Sequence, residues 1–432
     1  MMPIVQWLVV MATLCAAAAV AAQPTPASPL PRSAAAAEGF SPERLARIAP
    51  FLQAATDTQA YLGAVSLIAR HGKVVDWQAW GHRDLARRVP MTPDSIFRIY
   101  SMSKTVTSIA LLMLMEEGRL ALDEPVARHL PEFAALQVFA GGSADAPLLR
   151  APTRALTVRH LLTHTTGFAT GGAGFEQPTA LLERAELHRS ADLRDFAARV
   201  ARLPLAADPG QRFQYDGVQI EVASRLVEVV SGLPFDLFLK RHLFDPLRMP
   251  DTGFEVPPDQ RHRIVDITTL GAAGRLVAAP GLSLPGERLR PYFSGAGGLY
   301  STAADYARLC QMLLGGGSLD NAQILGRKTI ELMLMNHLTQ TDPAPGLAAT
   351  QFSASEGFGL GGSVLLDVAR RGRPGSVGAF GWLGAASTYY TIDRQEQLIA
   401  ILLLQHLPRD GAADLPKLST PFYNLVYQAL VH

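Results

Sequence analysis

SMSKTVTSIALLMLMEEG, residues 101–118, is the stretch from which the rest of the chain is read. It has the pattern of a helix from Ser101 to Glu117 that is apolar almost all round, with Gly118 to stop it. A helix of that kind belongs in the middle of a protein. Ser101 and Lys104 stand three residues apart, on the same face and one turn from each other. A serine hydroxyl is a poor nucleophile until a base lies within hydrogen-bond reach, and Lys104 is placed to be that base. The spacing alone is weak, since a capping serine beside a snorkelling lysine reads the same way. Context strengthens it. Lys104 falls in the first helical turn, where the macrodipole disfavours a cation, and at the mouth of a helix too apolar to be exposed. A cation set against both local rules suggests a functional site. Only five of the 39 basic residues are lysines, and this is one of them.

Outward from that helix, strand signals lie at both ends of the chain. Residues 61–81 hold two β-branched and aromatic runs around Arg70-His71-Gly72-Lys73, a hairpin pattern. Further strand signals come late, in GSVLLDVA (362–369), STYYTID (387–393) and QLIAILLLQ (397–405). A closing helix opens at Thr420-Pro421 with Phe422, Leu425, Val426 and Ala429 on one face. Between these ends lie short helices and Gly/Pro-rich loops, including a capped segment that starts at Thr157. The expectation is an α/β (α+β) fold: an antiparallel sheet flanked by helices, built from both termini, with an inserted all-helical lobe. The sheet-bearing lobe spans about 40–98 and 297–432, and the helical lobe about 99–296.

The N-terminal 22 residues form an apolar run ending in small residues, the shape of a secretory signal cleaved near Ala21 or Ala22, although a charged leader is missing. The expected address is exported, periplasmic or secreted, with no stable membrane span after cleavage. Residues 23–39 read as a Pro- and Ala-rich tether, with folded structure beginning at Ser41-Pro42-Glu43 and one domain over 40–432. Removal of Cys15 with the signal leaves Cys310 alone, so no intramolecular disulfide is expected. The 432 residues carry 39 bases against 38 acids, for a net charge of +1. That balance excludes a disordered chain and gives no basic surface for nucleic acid.

Motif searches remove further classes. There is no G-x-S-x-G elbow, H-E-x-x-H, paired C-x-x-C or phosphate loop. Gly357, Gly359 and Gly362 spell G-x-G-x-x-G, but a strand-like run follows where a dinucleotide site needs a helix, so a glycine-rich turn is the better reading. His160 and His164 are spaced i, i+4, yet no third metal ligand presents itself nearby. No cofactor is implied.

Two longer segments, residues 97–133 and LTVRHLLTHTTGF (156–168), resemble the serine β-lactamase-related hydrolases, in particular the class C β-lactamase-like carboxylesterases called family VIII. The similarity runs from about residue 60 to 407. It extends to Gln214-Tyr215-Asp216-Gly217, which is similar to the Y-x-N motif, and to Gly381-Trp382-Leu383-Gly384-Ala385, similar to the W-x-G that replaces K-T-G in many of the esterases. Segments 243–254 and 294–313 match too, the latter with Thr302 and Asp305 as a capping box. The resemblance implies that Ser101 attacks an acyl carbonyl, that Lys104 and Tyr215 share the proton transfers, and that the backbone N–H groups of Ser101 and Ala385 hold the oxyanion. Trp382 and Gly384 would line the substrate site.

Two departures bear on substrate. Gly217 stands where the family has Asn, and Trp382 stands in place of the K-T-G lysine, so an amide and a cation suited to an anionic β-lactam are both absent. The expected partner is therefore a small-molecule carboxylic ester. The alternatives are a β-lactamase or D-alanyl-D-alanine-type peptidase, an amide hydrolase or acyltransferase, and a catalytically inactive protein that binds cell-wall material or a partner. The runs from Gly141 to Pro152 and from 170 to 183 are the expected specificity loops.

Overall fold

The hairpin at Arg70–Lys73 shows why the sheet starts where it does. His71 and Gly72 both take positive φ, 50° and 76°, the pair that a two-residue turn between right-twisted strands requires. They join β1 (Gly63–Arg70) to β2 (Lys73–Gly81). In the computed structural model, which describes residues 28–58, 60–168, 171, 174–272, 274–280, 283–338, 353, 355–409 and 414–432, five late strands complete the sheet. They are β3 (Glu356–Phe358), β4 (Ser363–Leu365), β5 (Phe380–Gly384), β6 (Thr388–Asp393) and β7 (Leu398–Leu403). The order is β3-β4-β5-β6-β7-β1-β2, with antiparallel neighbours throughout. The sheet is thus built from both termini, as the two ends of the sequence imply.

Both faces of its centre are covered, which explains strands that are apolar without alternation. On β1, Val65, Leu67 and Ala69 enter the main core, while Ala64 and Ile68 enter a second cluster beneath α1 (Ile48–Asp57) and the C-terminal helix. On β7, Ile399, Ile401 and Leu403 face the first and Ala400 and Leu402 the second. The serine-bearing helix, α2 (Ser103–Glu116), is buried over most of its length. With α3 (Val218–Ser231) it forms the centre of the inserted segment, and α4 (Ala303–Leu314) packs on β1, β6 and β7. The last helix, α5 (Ser419–Tyr427), lays Phe422 and Val426 on the opposite face.

Several expectations need correction. The insert is not all-helical: short hairpins pair Val138–Gly142 with Pro147–Arg150 and Thr268–Leu270 with Leu276–Ala278. Neither stretch has a helical apolar period, and the ladder satisfies its backbone instead. The first of these occupies the expected specificity loop after Gly141. The tether reading fails for its second half, because Leu30 is buried and the Ser33 N–H donates to the Val74 carbonyl at 3.0 Å, so ordered chain precedes Ser41. The strand read in GSVLLDVA ends at Leu365, and Val368–Arg371 turn helical behind an Asp367 cap. Thr302 does cap α4 through the Asp305 N–H, but the Asp305 carboxylate accepts from the Asp251 N–H and the Thr252 hydroxyl rather than closing a capping box. The leader expected over residues 1–22 lies outside the described residues, as does part of the 170–183 run. Among the described residues no helix is long and apolar enough to cross a membrane.

Candidate active site

The chain enters α2 through a strained turn. Tyr100 has φ 44°, a region that bulky side chains rarely adopt, and it opens a single 3₁₀ turn over Tyr100–Met102 that presents Ser101. The sequence pattern starts the helix at Ser101, whereas the α-helix proper begins at Ser103. Lys104, only 3% exposed, donates to Ser101 Oγ at 2.9 Å and to the Ala296 carbonyl at 2.7 Å. The pair inferred from spacing is therefore in direct contact, with the amine anchored from its far side.

Tyr215 stands across this pair, just ahead of α3. Lys104 Nζ lies 4.9 Å from the centre of its ring, and its hydroxyl accepts from Trp382 Nε1 at 3.0 Å. The Tyr215 and Trp382 rings are 5.0 Å apart, and Trp382 meets Phe358 edge-on at 5.0 Å. Trp382 is thus both an apolar wall and the donor that fixes the phenol. Gly384 explains the rest of the W-x-G pattern: a Cβ there would sit 2.3 Å from the Ile99 carbonyl and 2.3 Å from Thr388 Oγ1. Only glycine lets β5 abut the turn that carries Ser101, and Ala385 follows directly. The structure brings Ser101, Lys104, Tyr215, Trp382, Gly384 and Ala385 to one place.

Sequence reasoning missed Glu221. It is buried on α3, its Oε1 accepts from the Ser294 hydroxyl, and burial raises its pKa to about 7 against the pull of that hydroxyl and of Lys104. The loop 294–296 is consequently held by Glu221 on one side and by Lys104 on the other. The available signal was SGAGG at 294–298: a Cβ on Gly295 would lie 2.1 Å from Ser224 Oγ, a close approach that a run of small residues permits. Glu221 itself lies in the first turn of α3, where an acid is favoured whether or not it is buried.

The two histidines have other work. His160 Nδ1 accepts from the Thr157 N–H at 3.1 Å, closing the cap expected there, and burial lowers its pKa to about 4. His164 is fully buried 4.6 Å from the Tyr215 ring, with Gln219 Nε2 at 2.6 Å from its Nδ1. Burial and the Lys104 charge hold its pKa well below the ordinary value, so it backs the phenol as a neutral ring. Among the described residues no cluster of three or more His, Cys, Asp or Glu could hold a metal ion. Gly359 and Gly362 close the β3–β4 turn through a 2.8 Å backbone bond, as a glycine-rich turn should.

Such an arrangement suits acyl transfer: a hydroxyl and an amine in contact, a phenol opposite, and a strand edge beside the hydroxyl. Comparison with known proteins agrees. The Beta-lactamase family profile matches residues 48–418. Protein Rv1367c of Mycobacterium tuberculosis is 33% identical over 387 residues, covering 85% of this chain and 94% of its own. Esterase EstB of Burkholderia gladioli is 30% identical over 387 residues, covering 85% and 91%. Among solved structures, EstCE1, described as a hydrolase with promiscuous acyltransferase activity, superposes with a TM-score of 0.73 at 25% identity, over 90% of this chain and 99% of its own. The chain belongs to the beta-lactamase family and is a serine hydrolase of that fold.

Proposed function

We propose that the protein hydrolyses small, uncharged carboxylic esters through an acyl-enzyme on Ser101. Ser101 Oγ attacks the ester carbonyl as its proton passes to Lys104 Nζ, and the N–H groups of Ser101 and Ala385 receive the oxyanion. Collapse of the tetrahedral adduct breaks the bond to the alcohol oxygen, which leaves with a proton delivered by way of Tyr215. Water then attacks the acyl-enzyme, its proton returns through the same pair, and the free acid departs. The observation that carries the ester reading is Trp382 on the Tyr215 hydroxyl: an indole fills the strand position where the β-lactam-directed motif has a lysine. That wall favours an apolar acyl or alcohol group over a carboxylate.

Steady-state rates on a chromogenic acyl ester and a chromogenic cephalosporin test the reading. Faster cephalosporin hydrolysis overturns it in favour of a β-lactamase. Labelling by a serine-reactive phosphonate, present in the native protein and absent in Ser101→Ala, tests the nucleophile. No adduct would leave the inactive binding protein in front. The similarity to EstCE1 favours a second outcome at the same site, capture of the acyl group by an added alcohol. The apolar run over residues 1–22 supports an exported, periplasmic or secreted enzyme, which cell fractionation of the full-length chain checks.

A further inference from the structure

Along β5 and past its Gly384 end lies a cavity of about 860 Å³. Its lining includes Trp382, Gly384 and Ala385, so it adjoins the candidate active site. Trp382 and Tyr390 pair across β5 and β6 and reach Tyr215 and Thr105, whereas Leu383 and Tyr389 pair on the other face, and all four line the cavity. Tyr427 of α5 closes a further side.

The cavity's charge is lopsided. Arg371 is matched by Glu356, and Asp414 is matched by His406 at 3.1 Å. Arg373 has no such match. Its guanidinium stacks on the Tyr423 ring at 4.4 Å, and its Nε is buried without a hydrogen-bond partner. Among the described residues it makes no hydrogen bond and no ion pair. Burial works against its charge and pulls its pKa down from the usual range. A part-buried guanidinium is costly unless something anionic meets it, and the planar fork suits a carboxylate bound by two parallel N–H groups. Arg409 and Lys417 add further cations to the lining. The surrounding Leu383, Tyr389 and Tyr427 give contact to an apolar or aromatic body rather than to a bare ion.

We propose that this cavity binds an organic carboxylate with an apolar or aromatic body, its carboxylate on Arg373. Isothermal titration calorimetry of the full chain with 4-phenylbutyrate, 4-phenylbutan-1-ol and inorganic phosphate tests the proposal. The expected result is saturable binding of the carboxylate, at least about tenfold weaker binding of the alcohol and of phosphate, and a loss of at least about tenfold for the carboxylate in Arg373→Gln. Equal affinity for the alcohol, equal affinity for phosphate, or retained affinity in the variant would each overturn it. A measurement without a variant guards against misfolding: phenylglyoxal modification of the native protein, mapped by peptide mass spectrometry. Protection of Arg373 by 4-phenylbutyrate supports the site, and an unchanged rate at Arg373 refutes it.

Discussion

Replacing Gly384 by Ala is the sharpest perturbation of the candidate site, because it adds one methyl group and removes no polar atom. That methyl would lie 2.3 Å from both the Ile99 carbonyl and Thr388 Oγ1, about 1 Å inside ordinary van der Waals contact. Ile99 is committed through its N–H to the Leu299 carbonyl at 3.0 Å, and Thr388 is locked in the ladder opposite both Gly384 and Leu403. Neither neighbour is the free end of a flexible chain, so β5 itself must move away from the Ser101 turn by about 1 Å. Overpacking of this kind costs about 1 to 3 kcal/mol of stability. The same displacement carries the Ala385 N–H away from the oxyanion position proposed for it, and a misplacement of that size costs about 100-fold in rate. The assay is ester turnover alongside urea unfolding. The expected result is kcat down by about two orders of magnitude with KM little changed, in a protein that still folds. Full activity in Gly384→Ala would refute the claim that close approach of β5 to the serine turn sets the geometry.

Other substitutions probe the surroundings. Glu221→Gln reports on the buried acid: with a pKa raised from 4.5 to about 7 in the folded chain, its stabilising contribution is complete below about pH 4.5 and is lost as pH rises through 7. Native stability should therefore fall by up to about 3 kcal/mol between pH 4.5 and 8 relative to the Gln variant, measured by urea unfolding; parallel pH curves would refute it. Trp382→Phe removes the 3.0 Å bond to Tyr215 while keeping an aromatic wall, and should lower kcat about threefold to tenfold, as expected for one hydrogen bond of about 1 kcal/mol; an unchanged kcat shows that the indole N–H does not orient the phenol. Gly217→Asn should fold normally, because its Cβ would meet only Ala296 Cβ at 3.4 Å, and should raise cephalosporin turnover relative to ester turnover. An unchanged ratio would show that the missing amide does not set substrate choice.

The parts legible in the sequence are those with a local cause. The Arg70–Lys73 hairpin is fixed by His71 and Gly72, and α2 by an unbroken apolar run. The Ser101–Lys104 contact follows from helical spacing. Parts set by tertiary packing were not legible. Nothing in the tether's composition shows that Leu30 finds a pocket and that Ser33 pairs with Val74. Glu221 reads as an ordinary first-turn acid because its partner, Ser294, lies 73 residues away. His164 carried the wrong emphasis for a similar reason: its i, i+4 relation to His160 is local, whereas its contact with Tyr215 depends on how the loop before α3 folds back.

Four polar residues of α2, Ser103, Lys104, Thr105 and Thr107, show how a buried helix keeps a lysine in an apolar setting, although Ser108 Oγ one turn further on has no hydrogen-bond partner. Thr107 donates to the Gly295 carbonyl at 2.9 Å, Lys104 to that of Ala296 at 2.7 Å, and Ser103 Oγ accepts from the Leu299 N–H at 3.3 Å. On another side Thr105 reaches the Gly361 carbonyl at 2.8 Å and lies 2.7 Å from the Tyr390 hydroxyl. A sequence of Ser, Lys, Thr and Thr in a buried helix would be a defect if those groups were unpaired. Here each one ties α2 to a segment from elsewhere: the 294–299 loop, the β3–β4 turn and β6. Ser101 is therefore positioned by the insert and by the sheet together, and neither half alone holds it. That arrangement accounts for a candidate nucleophile at the start of a buried helix, where partners from several segments fix it.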